Sequence, residues 1–204
     1  MTINEVIFDL ETQKLFADIA GHNPGDLRVS IVSCYQRTLN QNLKEKSGQM
    51  FSFWEENLNK LWPILSWADR IVGFNSSKFD VPVLQAYTKI PLSSLPHFDI
   101  LEKIRLALGK RISLNDLAQI NLKQKKIDVG LNAVKYYYQG DPESLKKLKE
   151  YCENDVLVTK NIYDLTLREG YLKIPDQRKR TFSRLKLDFS YPKSFFAISQ
   201  EKLF

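Results

Sequence analysis

A chain of 204 residues can bury one good-sized hydrophobic core, and 43% hydrophobic with 26% charged residues is ordinary for a globular domain, which excludes a disordered chain. No apolar run is long enough to span a bilayer, the N-terminus lacks a basic-then-apolar leader pattern, and two cysteines, Cys34 and Cys152, are too few for a disulfide framework or a zinc site; a reducing, cytoplasmic setting without membrane association is expected. The net charge of +6 points mildly to a polyanionic partner.

In chain order, residues 5–10 and 28–36 read as strands, the second through Val29, Ile31 and Val32. A polar stretch, 37–49, leads to a third strand or sheet edge at 50–53. Residues 55–68 carry Leu58, Leu61, Trp62 and Leu65 at helical spacing, with a kink expected at Pro63. A short buried strand follows over 70–75, and Asp80 opens a helix in which Pro82 falls in the first turn. His97-Phe98-Asp99 is a brief extended piece, with His97 read as structural. Asp99 is placed to cap a helix over 100–108, and Ser113-Leu114-Asn115-Asp116 resembles a capping box for another. The longest helix starts at Asp141-Pro142 and runs to Gly170, with Leu145, Leu148, Cys152 and Val156 in period. Beyond Tyr171 the pattern weakens into basic, aromatic, Pro-punctuated sequence, expected either to add a strand or to pack loosely. Three early strands followed by strand–helix alternation predict one α/β domain with a mixed sheet flanked by helices, over 1–172, and a C-terminal extension over 173–204.

The opening strand ends in Asp9-Leu10-Glu11, whose alternation puts both carboxylates on one side with no basic residue beside them. Like charges so placed repel and resist burial unless a cation joins them. Alone the pair is equally a strand ending in solvent, since about one Asp-x-Glu arises by chance in every one or two chains of this size. Two later segments add to it. Asp80 follows an aromatic residue at a strand-to-helix junction, where it is also a plain helix cap. Tyr151 and Asp155 share a face of the long helix with Leu148 and Cys152, and no Lys or Arg stands one turn away on that face to neutralise Asp155. Positive charge gathers elsewhere, in Lys123, Lys125 and Lys126, in Lys146, Lys147 and Lys149, and in Arg178-Lys179-Arg180 with Arg184 and Lys186. Each cluster reads either as a solvated surface or as part of a phosphate-attracting rim.

Phe8-Asp9-Leu10-Glu11-Thr12, Asn75-x3-Phe79-Asp80 and Tyr151-x3-Asp155 together resemble the three motifs of the DEDD superfamily of 3′→5′ exonucleases, which have the ribonuclease-H-like fold and include the proofreading domains of DNA polymerases. The resemblance spans residues 5 to about 165, in the family's order. Position 150 is Glu and position 151 is Tyr, so the chain is similar to the tyrosine branch rather than the histidine branch. Tyr151-Cys152-x2-Asp155 is especially like the exonuclease domains of family B polymerases and their stand-alone bacterial relatives. No polymerase palm follows, so the nuclease module alone is expected.

The resemblance implies metal-dependent release of nucleoside monophosphates from single-stranded 3′ ends, DNA favoured and RNA possible. It implies two divalent ions, Mg²⁺ or Mn²⁺, about 4 Å apart, which suit an all-carboxylate ligand set. By the same resemblance Asp9 bridges both ions, Glu11 and Asp155 complete the nucleophile-generating site, Asp80 holds the second ion largely through water, and Tyr151 orients the attacking water. Thr12 and Asn75 are implied to contact the terminal nucleotide, and Leu15 and Phe79 to wedge or stack the last bases; Phe79 is equally a core residue. An exoribonuclease, a structure-specific endonuclease of the same fold and an inactive nucleic-acid-binding module remain alternatives. The basic tail from Arg178 onward is read as a grip on substrate or a docking segment for a partner protein. The oligomeric state is left open.

Overall fold

The computed structural model describes residues 2–124, 130–176, 181–192 and 195. Strands β1 (Ile3–Thr12), β2 (Val29–Leu39), β3 (Glu45–Trp54), β4 (Arg70–Gly73) and β5 (His97–Asp99) form a mixed sheet in the order β3-β2-β1-β4-β5. β2 is antiparallel to both β1 and β3, whereas β4 runs parallel to β1 and to β5. Helices α1 (Leu61–Trp67), α2 (Asp80–Gln85), α3 (Ile100–Leu108), α4 (Leu114–Leu122), α5 (Gly130–Gln139) and α6 (Pro142–Glu169) flank it. No helix among the described residues is long and apolar enough to cross a membrane.

β1 is the central strand, and its alternation decides what each face contains. Val6, Phe8 and Leu10 enter one core cluster with Leu61, Leu65, Val83 and Leu84. Ile7 enters the opposite cluster with Val156, Ile162 and Tyr163 of α6. Full burial of each such side chain is worth roughly 1.5–3 kcal/mol. Glu5, Asp9 and Glu11 share the parity of Ile7, so the face of β1 under α6 carries three acids where a central strand ordinarily carries apolar residues.

α6 is delimited as its sequence predicts. The Asp141 side chain accepts hydrogen bonds from the N–H groups of Glu143 and Ser144, Pro142 occupies the first turn, and Gly170 closes the helix at φ 70°. Asp99 caps α3 through the Glu102 N–H, and Ser113 caps α4 through that of Asp116.

Three elements differ from the sequence reading. β3 begins at Glu45 rather than 50, because as an edge strand it needs backbone pairing to β2 but few apolar side chains. Gly48 fits there under the Tyr35 ring, whose hydroxyl a β-carbon would overlap. Residues 55–60 form a 3-10 turn and α1 starts only at Leu61; Pro63 lies in its first turn, where its missing N–H is no loss, and terminates α-geometry upstream instead of kinking a longer helix. α5 is an element the periodicity did not show. Past Gly170, β6 (Tyr171–Asp176) and β7 (Thr181–Lys186) pair with each other as a separate hairpin. Leu172, Ile174, Leu187 and Phe189 join the core cluster of Val156 and Ile162.

Candidate metal centre

Cross-strand register and α6 assemble the acids. Asp9 stands opposite Ser33 and Glu11 opposite Ile31, and the register shifts between Glu11 and Thr12 at the end of the strand. Such a bulge re-aims side chains where pairing stops. α6 crosses this face with its apolar stripe inward, which leaves Tyr151 and Asp155 on one flank and Glu153, Lys160 and Asp164 on the other. The helix is docked by the Cys152 thiol, which donates to the carbonyl of Asp9 at 3.5 Å, and by Ser52, which donates to Glu153 Oε1 at 2.6 Å and pairs with Ser33 at 3.0 Å.

One carboxylate oxygen each from Asp9, Glu11 and Asp155 lies within 4.8 Å of the others, all three residues being half-buried. The fourth acid, Asp80, is buried in the first turn of α2 and accepts the N–H of Leu10 at 3.2 Å. It stands beside the triad, close enough for its charge to act on Asp9 and Glu11, rather than within it. Burial first, then the fields of Asp80, Asp155 and Glu11, pushes Asp9 well above the ordinary carboxylate range. Burial followed by the neighbouring acids does the same to Glu11. Burial lifts Asp80 to about 7 despite its backbone hydrogen bonds, and Asp155 to about 6 despite hydrogen bonds from Tyr151 and Asn154. The charges acting on Asp9 and Glu11 are all carboxylates, so no cation among the described residues neutralises them. An all-oxygen donor set of this kind fits a hard divalent cation.

Tyr151 packs partly against Ile31, Leu148 and Cys152 and hydrogen-bonds toward Asp155. Its phenol is raised above the usual tyrosine value by burial and then by Asp155, Glu11 and Asp9. The other residues singled out from sequence make the following contacts. Thr12 Oγ1 donates to the carbonyl of Lys14 at 2.8 Å, and the Leu15 N–H to Asp18 Oδ2 at 2.8 Å. Asn75 is left-handed at φ 66°, with its N–H on Asp99 Oδ1 at 2.9 Å. Phe79 packs on the core below and meets Phe16 edge-on, with ring centroids 6.1 Å apart. Phe16, 44% exposed, carries no local pattern that would have flagged it.

The basic clusters are spent differently than a rim requires. Lys146, Lys147 and Lys149 each reach a glutamate one turn away, Glu150, Glu143 and Glu153. Arg184 lies over the Tyr171 ring in the hairpin beyond the C-terminus of α6. Lys125, Lys126 and Arg178-Lys179-Arg180 lie outside the described residues. His97 places Nε2 2.9 Å from the carbonyl of Leu92 and its ring beside Phe8, away from the acids' ligand atoms.

No curated protein matches the chain. A family model described as the RNase_H superfamily matches residues 6–167, from the strand of Asp9 and Glu11 to the end of the helix of Asp155. The mixed sheet with helices on both faces and the acids gathered on its central strand agree with that match; the chain belongs to the RNase H superfamily.

Proposed function

We propose that this chain is a metal-dependent 3′→5′ exonuclease of the tyrosine branch of the DEDD nucleases, hydrolysing phosphodiester bonds at single-stranded ends, with DNA the favoured substrate. The observation that supports it most is the convergence of Asp9, Glu11 and Asp155 with no cation among the described residues to neutralise them. Membership of a superfamily rich in nucleases makes phosphodiester hydrolysis the natural use of such a site.

Asp9, Glu11 and Asp155 would hold the divalent ions, Mg²⁺ or Mn²⁺. Asp80, with one oxygen engaged by the Leu10 N–H, would offer its other oxygen to the same site. When bound, such ions lower the acidity threshold of water and offset charge on the attacking and leaving oxygens. Tyr151 stays protonated at neutral pH, so it serves as a hydrogen-bond donor that orients the attacking water rather than as a base. Thr12 and Asn75 position the terminal nucleotide, and Leu15 with Phe79 separates its base from the next. The acids and these residues all lie within 1–172, which we take as the nuclease domain, with 173–204 as a basic extension that grips substrate or docks a partner.

End-labelled single-stranded DNA and RNA, incubated side by side with and without Mn²⁺, test this reading. Metal-dependent mononucleotide release from the 3′ end is expected, faster on DNA, with a circular single strand left intact. Cutting of the circle would identify an endonuclease, and binding without turnover in Mn²⁺ an inactive module.

A further inference from the structure

Arg28 stands where β1 ends. Val29 pairs with Thr12, and the Arg28 carbonyl accepts the N–H of Gln13 at 2.8 Å, so Arg28 lies one step beyond the strand that carries Glu11. Its backbone sits at φ 56°, ψ 142°, a region in which a β-carbon is crowded and which non-glycine residues rarely occupy. Such strain persists only where the surroundings fix it, and it concentrates at functional positions. Here the surroundings are explicit. Glu55 takes Nε at 3.0 Å and Nη2 at 2.8 Å, and is itself held by the Tyr87 hydroxyl at 2.6 Å and by Gln13 Nε2 at 2.8 Å. One edge of the guanidinium is thereby oriented, while the side chain remains 56% exposed. Across from it, Tyr137 of α5 feels the charges of Glu55 and Arg28, and its neighbour Tyr138 is 65% exposed.

A polyanion approaching the acids is helped by a cation beside its path; the α6 lysines are held only by single exposed contacts to glutamates one turn away, whereas two bonds to Glu55 fix the plane of Arg28 and leave its outer edge open to solvent. We infer that Arg28 binds a backbone phosphate of the single-stranded nucleic acid entering the acidic site, with Glu55 fixing the plane of its fork so that the exposed edge meets the phosphate oxygens. The inference rests on the nuclease reading above and adds a residue and a contact to it. Glu55, Gln13 and Tyr87 act through Arg28 as positioning residues.

The test is fluorescence anisotropy of a short labelled single-stranded DNA across a salt series, with Asp9→Ala as the non-cleaving parent. Adding Arg28→Gly should weaken binding about fivefold or more and lower the slope of log affinity against log salt by about 0.7, the value for one phosphate on a single strand. Glycine adopts the Arg28 backbone without strain, so the variant should melt no lower than the parent. Arg28→Gln should lose the same slope, and Arg28→Lys should keep it while recovering only part of the affinity. Unchanged slopes in both Arg28→Gly and Arg28→Gln overturn the assignment whatever their melting temperatures. A parent that does not bind the strand at all overturns the nuclease reading together with it, which separates the two failures.

Discussion

β1 and α6 bring carboxylates together at two places, and the two places are built on opposite principles. At one, buried Glu5 accepts from Arg37 Nε at 2.9 Å and from the hydroxyls of Tyr163 and Tyr191, each at 2.7 Å. Arg37 also grips Asp164 through both terminal nitrogens, and Lys160 adds a contact to Asp164 at 2.9 Å. Arg70 donates to Tyr163 and to the carbonyls of Phe189 and Ser190, with its guanidinium 3.6 Å from the centre of the Tyr191 ring. At the other place Asp9, Glu11 and Asp155 have no cationic partner among the described residues. The same helix shows the consequence. Burial raises Asp164, but hydrogen bonds and field from Arg37 and Lys160 outweigh it and hold the group below the ordinary range. Burial raises Asp155 to about 6, and hydrogen bonds from Tyr151 and Asn154 offset it only in part. Depth of burial therefore does not separate the two groups of acids; the presence of a built-in counter-charge does.

The contrast breaks most sharply at Asp9. Asp9→Ala should lower mononucleotide release by at least about a thousandfold, since loss of metal-assisted charge stabilisation is worth several kcal/mol of barrier, yet in metal-free buffer it should melt no lower than wild type, because one of several repelling charges is gone. Retained activity would end the metal-centre reading. Glu5→Ala should do the reverse: a loss of about 3–5 kcal/mol in denaturant unfolding, because buried Arg37 keeps its charge and loses a partner.

A divalent ion should sharpen the asymmetry. Mg²⁺ or Mn²⁺ at about a hundredfold over its dissociation constant should stabilise wild type by about 2.7 kcal/mol and leave Asp9→Ala nearly unmoved in a thermal shift assay.

The pH dependence follows from the signs. The metal-centre acids have folded-state pKa values above their unfolded ones, Asp80 at about 7 and Asp155 at about 6, so the folded protein binds the extra protons. Stability of the metal-free protein should fall as pH rises from about 4 to about 7. Asp164 and Glu45, held low, contribute stability above the ordinary carboxylate range that is lost as pH drops below it. Melting temperature should accordingly peak in mildly acid buffer, and Asp155→Asn should flatten only the limb above the peak. The smallest effect is expected at the Ser52–Glu153 contact, where Ser52→Ala should cost about 1 kcal/mol in the same denaturant experiment.

Much of this was legible in sequence because its signals are local. The caps at Asp99, Ser113 and Asp141, the stop at Gly170 and the alternation of β1 each depend on a few adjacent residues. The acids were legible because their types and order carry a motif, and the structure brings Asp9, Glu11 and Asp155 within ligand distance of one another. What sequence did not yield is long-range or unpatterned. Nothing near Glu5 announces an arginine on the next strand or tyrosines 158 and 186 residues away. The first half of β3 gives no signal because an edge strand tolerates polar residues, and α5 gives none because its tyrosines fill the space between α6 and the β2–β3 face without strict helical period.

The hydrogen bond from Tyr191 to Glu5 ties together two segments 186 residues apart in sequence. Without the later segment, the sheet and α6 can still assemble around Glu5 with Arg37 and Tyr163, leaving the cluster one donor short. The stretch from Leu187 to Tyr191 therefore works as a latch on the buried network: a chain lacking it should keep its acids in place while the opposite end of β1 loses stability.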